Sequence, residues 1–219
     1  MKQHIGVIGA NGDLGSQLVA RLKEHNQDVT TFSRSAKNEL SIDQMLTTCD
    51  IVHVCAPVQA IADITPGKAI IVLHDSVMNT SREASLCHLN SSAAIVHMLM
   101  NDAGAVVIAS DAPHHDMIRQ HSIDIGLTPH SMTIDEHDYM IARSQAPLAL
   151  LCKTLLPYLY TKSDQGLLTP SGQLLADTLR ARELVWTDET IHSILHNPQL
   201  QTLLNDMQLL LDKNKELPE

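Results

Sequence analysis

Ile5-Gly6-Val7-Ile8-Gly9-Ala10-Asn11-Gly12-Asp13-Leu14-Gly15 is the stretch that decides the fold. Ile5–Ile8 is a short apolar run of the size of a buried parallel strand. From Asp13 the pattern becomes helical, with Leu14, Leu18, Val19 and Leu22 recurring every three or four residues. Three glycines at G-x-x-G-x-x-G spacing join the two. Gly9 allows a sharp strand-to-helix turn. Gly12 lets the backbone approach a ligand without a Cβ in the way, and Gly15 permits close helix–strand packing. The helix start then offers unpaired N–H groups to an anion. A strand before the motif and a helix after it are the context in which it binds a dinucleotide pyrophosphate. Gly9, Asn11, Gly12, Asp13, Leu14 and Gly15 are therefore read as cofactor-binding.

Outward from this turn, Val29–Phe32, Asp50–Cys55, Ala69–Leu73, Ala94–His97 and Ala105–Ala109 read as further strands. Helical stretches fall at Ile42–Leu46, Ser81–Leu89 and between Pro113 and His121, with Val58–Ile64 a short helix or loop. Alternating strands and helices predict a Rossmann-type, doubly wound parallel α/β sheet. Beyond Thr133 the pattern becomes all-helical. A long apolar helix over Tyr139–Tyr160 is interrupted at Pro147. Leu174–Trp186 follows, with Ser171 as its N-cap, and Asn197-Pro198 opens a final amphipathic helix. Two domains are expected, residues 1–133 for the nucleotide and 134–219 for substrate and dimerisation.

The chain has 219 residues, 44% of them hydrophobic, and carries a net charge of −10. Such an acidic chain with no basic stripe is a poor partner for nucleic acid. One Trp, three Tyr and one Phe are too few for base-stacking platforms. No apolar run approaches the ~20 residues a membrane span needs, and nothing at the N-terminus reads as a signal peptide, so a cytoplasmic location is expected. The four cysteines are scattered without a CxxC pair and are taken as small buried hydrophobes. Most of the thirteen histidines are taken as solvated. His114-His115-Asp116 reads as exposed loop. His192 and His196 lack the glutamate of a zincin, so no metal is expected.

The cofactor's identity turns on the second strand. An NAD site carries an acid there for the ribose 2′-hydroxyl, whereas this strand ends Thr31-Phe32-Ser33-Arg34-Ser35 with no acid until Glu39. Ser33, Arg34 and Ser35 suit a 2′-phosphate, the arginine as a planar charged fork. NADP is favoured and NAD stays open. His97 ends the fifth strand, where a histidine can accept a hydroxyl proton while hydride leaves the same carbon. Ser76, after the fourth strand, could orient that ring. The acids of Thr133-Ile134-Asp135-Glu136-His137-Asp138 are explained by the helix dipole alone.

These residues resemble the prephenate dehydrogenases, oxidoreductases of tyrosine biosynthesis, over most of the chain. The glycine turn carries the likeness, with Asp50-Ile-Val-His-Val-Cys-Ala-Pro57-Val58, His74-Asp75-Ser76-Val77 and Glu136-His137-Asp138 followed by Met140 and Ser144-Gln145. The resemblance implies a nucleotide domain and a helical domain that forms a homodimer. It implies cofactor contacts at Ala56 and Pro57, and His97 as the catalytic histidine with Ser76 supporting it. It also implies oxidative decarboxylation of prephenate or arogenate: hydride passes to the nicotinamide, and loss of carboxylate aromatises the ring. The chain departs from the family pattern at Met98, Met78 and Gln145-Ala146-Pro147-Leu148, where the family has a proline, a lysine and a basic substrate-binding residue. A substrate with two carboxylates needs cations. Arg143 is the nearest, and Arg143 and Gln145 are taken as substrate-binding. A dehydrogenase or reductase of another small substrate stays open, as does a non-catalytic nucleotide-binding dimer.

Overall fold

A computed structural model describes residues 3–35, 40–57, 65–89, 92–99, 104–164, 166, 168–185 and 188–215. The chain divides into two compact units, Met1–His137 and Asp138–Glu219. The expected boundary lay at 133/134.

The first unit is a seven-stranded sheet in the order β2-β1-β3-β4-β5-β6-β7. Its strands are β1 His4–Ile8, β2 Asp28–Phe32, β3 Ile51–Val54, β4 Ile70–His74, β5 Ala94–Met98, β6 Ala105–Ala109 and β7 Thr128–Met132. Helices α1 Asp13–Glu24, α2 Ile42–Thr48, α3 Met78–His88 and α4 His115–Asp124 connect them. Both faces are covered, which is why the inner strands read as unbroken apolar runs. Side chains alternate between two cores. Ile5, Val7, Ile51, Val72, Ala94 and Val96 pack with Leu18 and Leu22 of α1 and Ile118 of α4. Ile8, Val52, Val54, Ile71 and Leu73 pack with Met45 and Leu46 of α2.

Three features depart from the sequence reading. The sheet is parallel except at β5–β6, which pair antiparallel. Residues 99–104 alone separate those strands, and a parallel return needs about a dozen residues or more. The seventh strand, Thr128-Pro129-His130-Ser131-Met132, was not expected. It pairs parallel to β6 at the sheet edge, the position where a strand proline is tolerated. His115 also starts α4 instead of lying in a loop, with Nε2 2.8 Å from the Ser131 hydroxyl.

The second unit is helical. The expected Tyr139–Tyr160 helix is three: α5 Ile134–Ser144, which begins in the first unit, α6 Ala146–Thr154 and α7 Leu156–Asp164. Pro147 sits in the first turn of α6, where its missing N–H is no loss. Helix α8 runs Pro170–Val185, and Trp186 lies outside the described residues, as does Val58–Ile64. Its first turn is capped by Thr169, whose hydroxyl accepts from Gly172 N at 3.2 Å, so Ser171 lies inside the helix. Helices α9 Asp188–Leu195 and α10 Leu200–Lys215 complete the unit. Asn197 caps the turn before α10, accepting from Gln199 N at 2.8 Å. Cys152, Leu156, Leu159, Ala176 and Leu179 form the core of α6, α7 and α8. No described helix is long and apolar enough to cross a membrane.

Candidate active site

The glycine turn forms at the carboxyl end of β1, where the strand order reverses between β1 and β3. Such reversal points are where open α/β sheets bind ligands. Gly9 has φ 84°, a left-handed conformation that side chains resist. A Cβ on Gly9 would collide with the Cys55 carbonyl at the end of β3, and one on Gly15 with the Gly9 carbonyl. Both glycines are thus demanded by the fold. Gly12 is not, since its Cβ would meet only Gly9 O at an ordinary 3.4 Å. Gly12 is exposed and precedes α1, and no side chain caps that helix start. The turn therefore offers unpaired N–H groups beside an uncrowded backbone, a donor set that fits a pyrophosphate. Asn11, Gly12 and Asp13 are exposed and Leu14 is half-buried.

The end of β2 is held against this turn. Phe32 O accepts from Gly9 N at 2.9 Å and from Ala10 N at 3.2 Å. Ser33-Arg34-Ser35 follows directly, Arg34 and Ser35 exposed, with the two serine hydroxyls 3.3 Å apart. Cys55-Ala56-Pro57 lies on the other side of Gly9. Burial pushes the Cys55 thiol up to about 12, leaving it protonated and unreactive.

Ser76 and His97 share the carboxyl edge of β4 and β5. His74 pairs with Val96, and Asp75 N extends the ladder to Val96 O at 3.1 Å. Asp75 shapes the turn carrying Ser76: its carboxylate accepts from Val77 N and from the Ser81 hydroxyl, each at 3.2 Å. His97 is half-buried, and its Nδ1 lies 2.9 Å from Nε2 of His137. The two rings meet edge-on at 83°. His137, the fully buried fourth residue of α5, is thus a ring partner of His97 that the sequence reading, which named Ser76 for that part, did not find. Helix α5 starts with a capping box: Glu136 Oε2 accepts from Thr133 N and Oγ1, and Thr133 Oγ1 accepts from Glu136 N. Those bonds hold the Glu136 carboxyl below its usual range.

The sequence matches no protein-family model and no curated protein. Solved structures do match. A Corynebacterium glutamicum protein assigned as a prephenate dehydrogenase superposes with a TM-score of 0.75 at 14% identity, covering 98% of this chain and 81% of its own. The Aquifex aeolicus prephenate dehydrogenase, in complex with hydroxyphenyl propionate and NAD+, gives 0.74 at 14% identity over 99% of this chain and 91% of its own. Synechocystis arogenate dehydrogenase gives 0.71 at 17%, covering 96% and 90%. The fold is that of the prephenate dehydrogenases.

Within this dehydrogenase fold the remaining expected residues are less tied down. Arg143 is exposed on α5, its guanidinium 5.5 Å from the centre of the Tyr139 ring. Gln145 precedes α6 and is half-buried. A second group of histidines went unread in the sequence. On β3, His53 Nδ1 lies 2.9 Å from His74 Nε2, and His53 Nε2 lies 3.1 Å from Nε2 of His121 on α4. His53 and His121 are buried and His74 half-buried, contrary to the expectation of solvated histidines. The signal was a histidine inside the apolar strand Ile51-Val52-His53-Val54. His53 turns opposite nitrogens to its two neighbours, so the three do not converge on one point as metal ligands would.

Proposed function

We propose that the protein is an NADP-dependent dehydrogenase of the prephenate type, performing oxidative decarboxylation of prephenate or arogenate in tyrosine biosynthesis. The observation that carries this reading is one sheet edge bearing both the glycine turn and His97, in a fold matched nearly end to end by prephenate and arogenate dehydrogenases. Gly9–Gly15 would hold the pyrophosphate, Ala56 and Pro57 would flank the dinucleotide, and Ser33, Arg34 and Ser35 would hold the 2′-phosphate. When bound, the nicotinamide supplies the hydride acceptor. His97 takes the substrate's hydroxyl proton as the carbinol carbon loses hydride. Ser76, half-buried on the neighbouring strand end, would orient the His97 ring. The bond to the departing carboxylate breaks, carbon dioxide leaves, and its electron pair completes the aromatic ring. Arg143 and Gln145 contact the substrate, and the reaction is cytoplasmic.

Purified protein assayed with prephenate and with arogenate, each with NADP and NAD, tests this directly. His97→Asn should lower kcat at least ~100-fold with cofactor affinity retained. Folded, cofactor-binding protein that turns over neither substrate would overturn the assignment. It would favour a second reading, a related dehydrogenase or reductase of another small substrate. The features supporting that reading are Met78, Met98 and the segment Gln145-Ala146-Pro147-Leu148, where prephenate dehydrogenases place other residues, and the exposure of Arg143.

The NADP preference rests on Arg34. Charge-assisted bonds of this kind contribute roughly 1.5–3 kcal/mol, so Arg34→Ala should weaken NADP about 10- to 100-fold and leave NAD within about twofold. Titration of both nucleotides by calorimetry checks it, and equal losses for the two would remove the 2′-phosphate role.

The helical unit is proposed to form the homodimer. It exposes Tyr158 (61%), Leu174 (69%) and Leu209 (61%), apolar area that a second copy would cover. Light scattering at micromolar concentration should give twice the chain mass, and a monomer there excludes this interface.

A further inference from the structure

We infer that His137 is a positioning residue for His97, and that it sets which nitrogen of His97 can take a proton. The inference deepens the dehydrogenase reading and rests on it for its consequence, though not for its test. It stands on three observations. His97 Nδ1 and His137 Nε2 are 2.9 Å apart, within hydrogen-bond reach. The rings are edge-on at 83°, which aims one ring's N–H into the plane of the other. His137 is fully buried while His97 is half-buried, so the pair has an inner and an outer member.

Two neutral imidazoles joined nitrogen to nitrogen share one proton between them, and its side decides what His97 can do. If His137 donates from Nε2, then His97 accepts at Nδ1 and carries its own proton on Nε2. In that form His97 can only donate toward a substrate. If His97 donates from Nδ1, its Nε2 keeps a lone pair and can act as a base. Only the second arrangement serves oxidation of a hydroxyl, and it requires His137 Nε2 to be the acceptor. When His97 Nε2 takes the substrate proton, the Nδ1–H bond to His137 becomes charge-assisted and shortens. No proton moves onto His137, whose part is to fix tautomer and ring angle.

The local structure accounts for why His137 can hold that position. It follows the Thr133–Glu136 capping box, which fixes the first turn of α5. Ile134, one turn earlier, is buried with Ile95 and Val107, the neighbours of His97 in the sheet. Three helical residues advance about 4.5 Å and two strand residues about 6.6 Å, so the step from Ile134 to His137 runs in the same range as the step from Ile95 to His97. Asn79 of α3 donates to Asp135 at 3.4 Å, tying the same turn to the helix that follows Ser76.

The test is histidine 15N NMR on the full chain, without substrate. A His97→Gln sample assigns the His97 signals. The expected result is a proton on His97 Nδ1 with a through-hydrogen-bond coupling to His137 Nε2. His137→Phe should shift His97 toward the Nε2–H form that free imidazole side chains favour. His137→Gln, which can place an amide oxygen near the former Nε2, should keep Nδ1–H. Where turnover is measurable, His137→Phe should lower kcat about tenfold or more and leave the KM for NADP within about twofold, with His137→Gln restoring most of the loss. A proton on His97 Nε2 in the wild-type protein, or no coupling to His137, overturns the inference. So does a His137→Phe protein that keeps Nδ1–H. If His137→Phe does not fold, the wild-type coupling decides alone. Failure to turn over prephenate or arogenate bears on the substrate reading and leaves the tautomer result standing.

Discussion

Taking the protein from pH 7 to pH 5 should destabilise the sheet unit by about 4 kcal/mol through His74 and His121, a large share of the stability of an ordinary domain, with His53 acting in the same direction. The cause is the His53–His74–His121 chain. Burial, reinforced by the neighbouring imidazoles, holds His53 well below the ordinary histidine range. Burial takes His74 to about 3, with His97 and His121 adding to the effect. Burial takes His121 to about 4, with Asp124 opposing it. All three are bases whose folded values are depressed. The unfolded chain protonates them below about pH 6.5, while the fold keeps His74 and His121 neutral until about pH 4 and shifts His53 in the same direction. Stability is therefore whole above pH 6.5 and lost on acidification through the window from 6.5 to 4. His74 and His121 each remove about 1.4 kcal/mol per pH unit, or about 2 kcal/mol by pH 5. Circular-dichroism melts should show Tm falling by about 8 °C or more between pH 7 and pH 5. His121→Leu should make that slope shallower. A Tm constant within about 2 °C over this range would show that the three histidines are not held neutral.

The second large effect separates what the fold needs from what a ligand needs. Gly15→Val sets a branched side chain against the Gly9 carbonyl, a backbone atom that cannot move without opening the turn. The expected cost is about 1–3 kcal/mol of stability and at least a ~100-fold loss of NADP affinity. Gly12→Ala places its Cβ in ordinary contact with Gly9 O at 3.4 Å. Its stability should stay within about 0.5 kcal/mol of wild type, the range of a surface change, while NADP affinity falls at least ~10-fold because the methyl stands where a phosphate would approach. Thermal melts and nucleotide titration of both variants check the pair. Unchanged NADP binding by Gly12→Ala would remove the phosphate from this loop.

The glycine turn was legible in the sequence because two steric demands of the fold, at Gly9 and Gly15, fall within seven residues with a third glycine at the helix start between them. The strand β7 was not. Thr128, His130 and Ser131 are polar and Pro129 reads as a breaker, since an edge strand with little buried surface leaves no apolar pattern. The reversal at β5–β6 could have been read from the short connection, which no crossover fits. The partner of His97 was hidden because Glu136-His137-Asp138 invites an electrostatic explanation that is correct for Glu136 and incomplete for His137. The missed signal was periodicity. Ile134, His137 and Ile141 fall on one helical stripe and all are buried. Composition was no guide to the histidines: the interior holds His74 and His121 through their Nε2 contacts with His53, although Nδ1 of each is buried without a hydrogen-bond partner among the described residues.

The four thiols bear on how self-association must be measured. Cys49 and Cys152 are buried, and Cys55 is half-buried with its thiol pushed up to about 12. Cys87, in the last turn of α3, is exposed. Air oxidation of a stored sample would therefore join two chains through Cys87 before it touched any other sulfur. Such a covalent pair has twice the chain mass and owes nothing to the helical unit. A reductant, or Cys87→Ser, has to be present for mass to report on non-covalent assembly. The same isolation makes Cys87 a place for a single spectroscopic label, with the remaining sulfurs as silent bystanders.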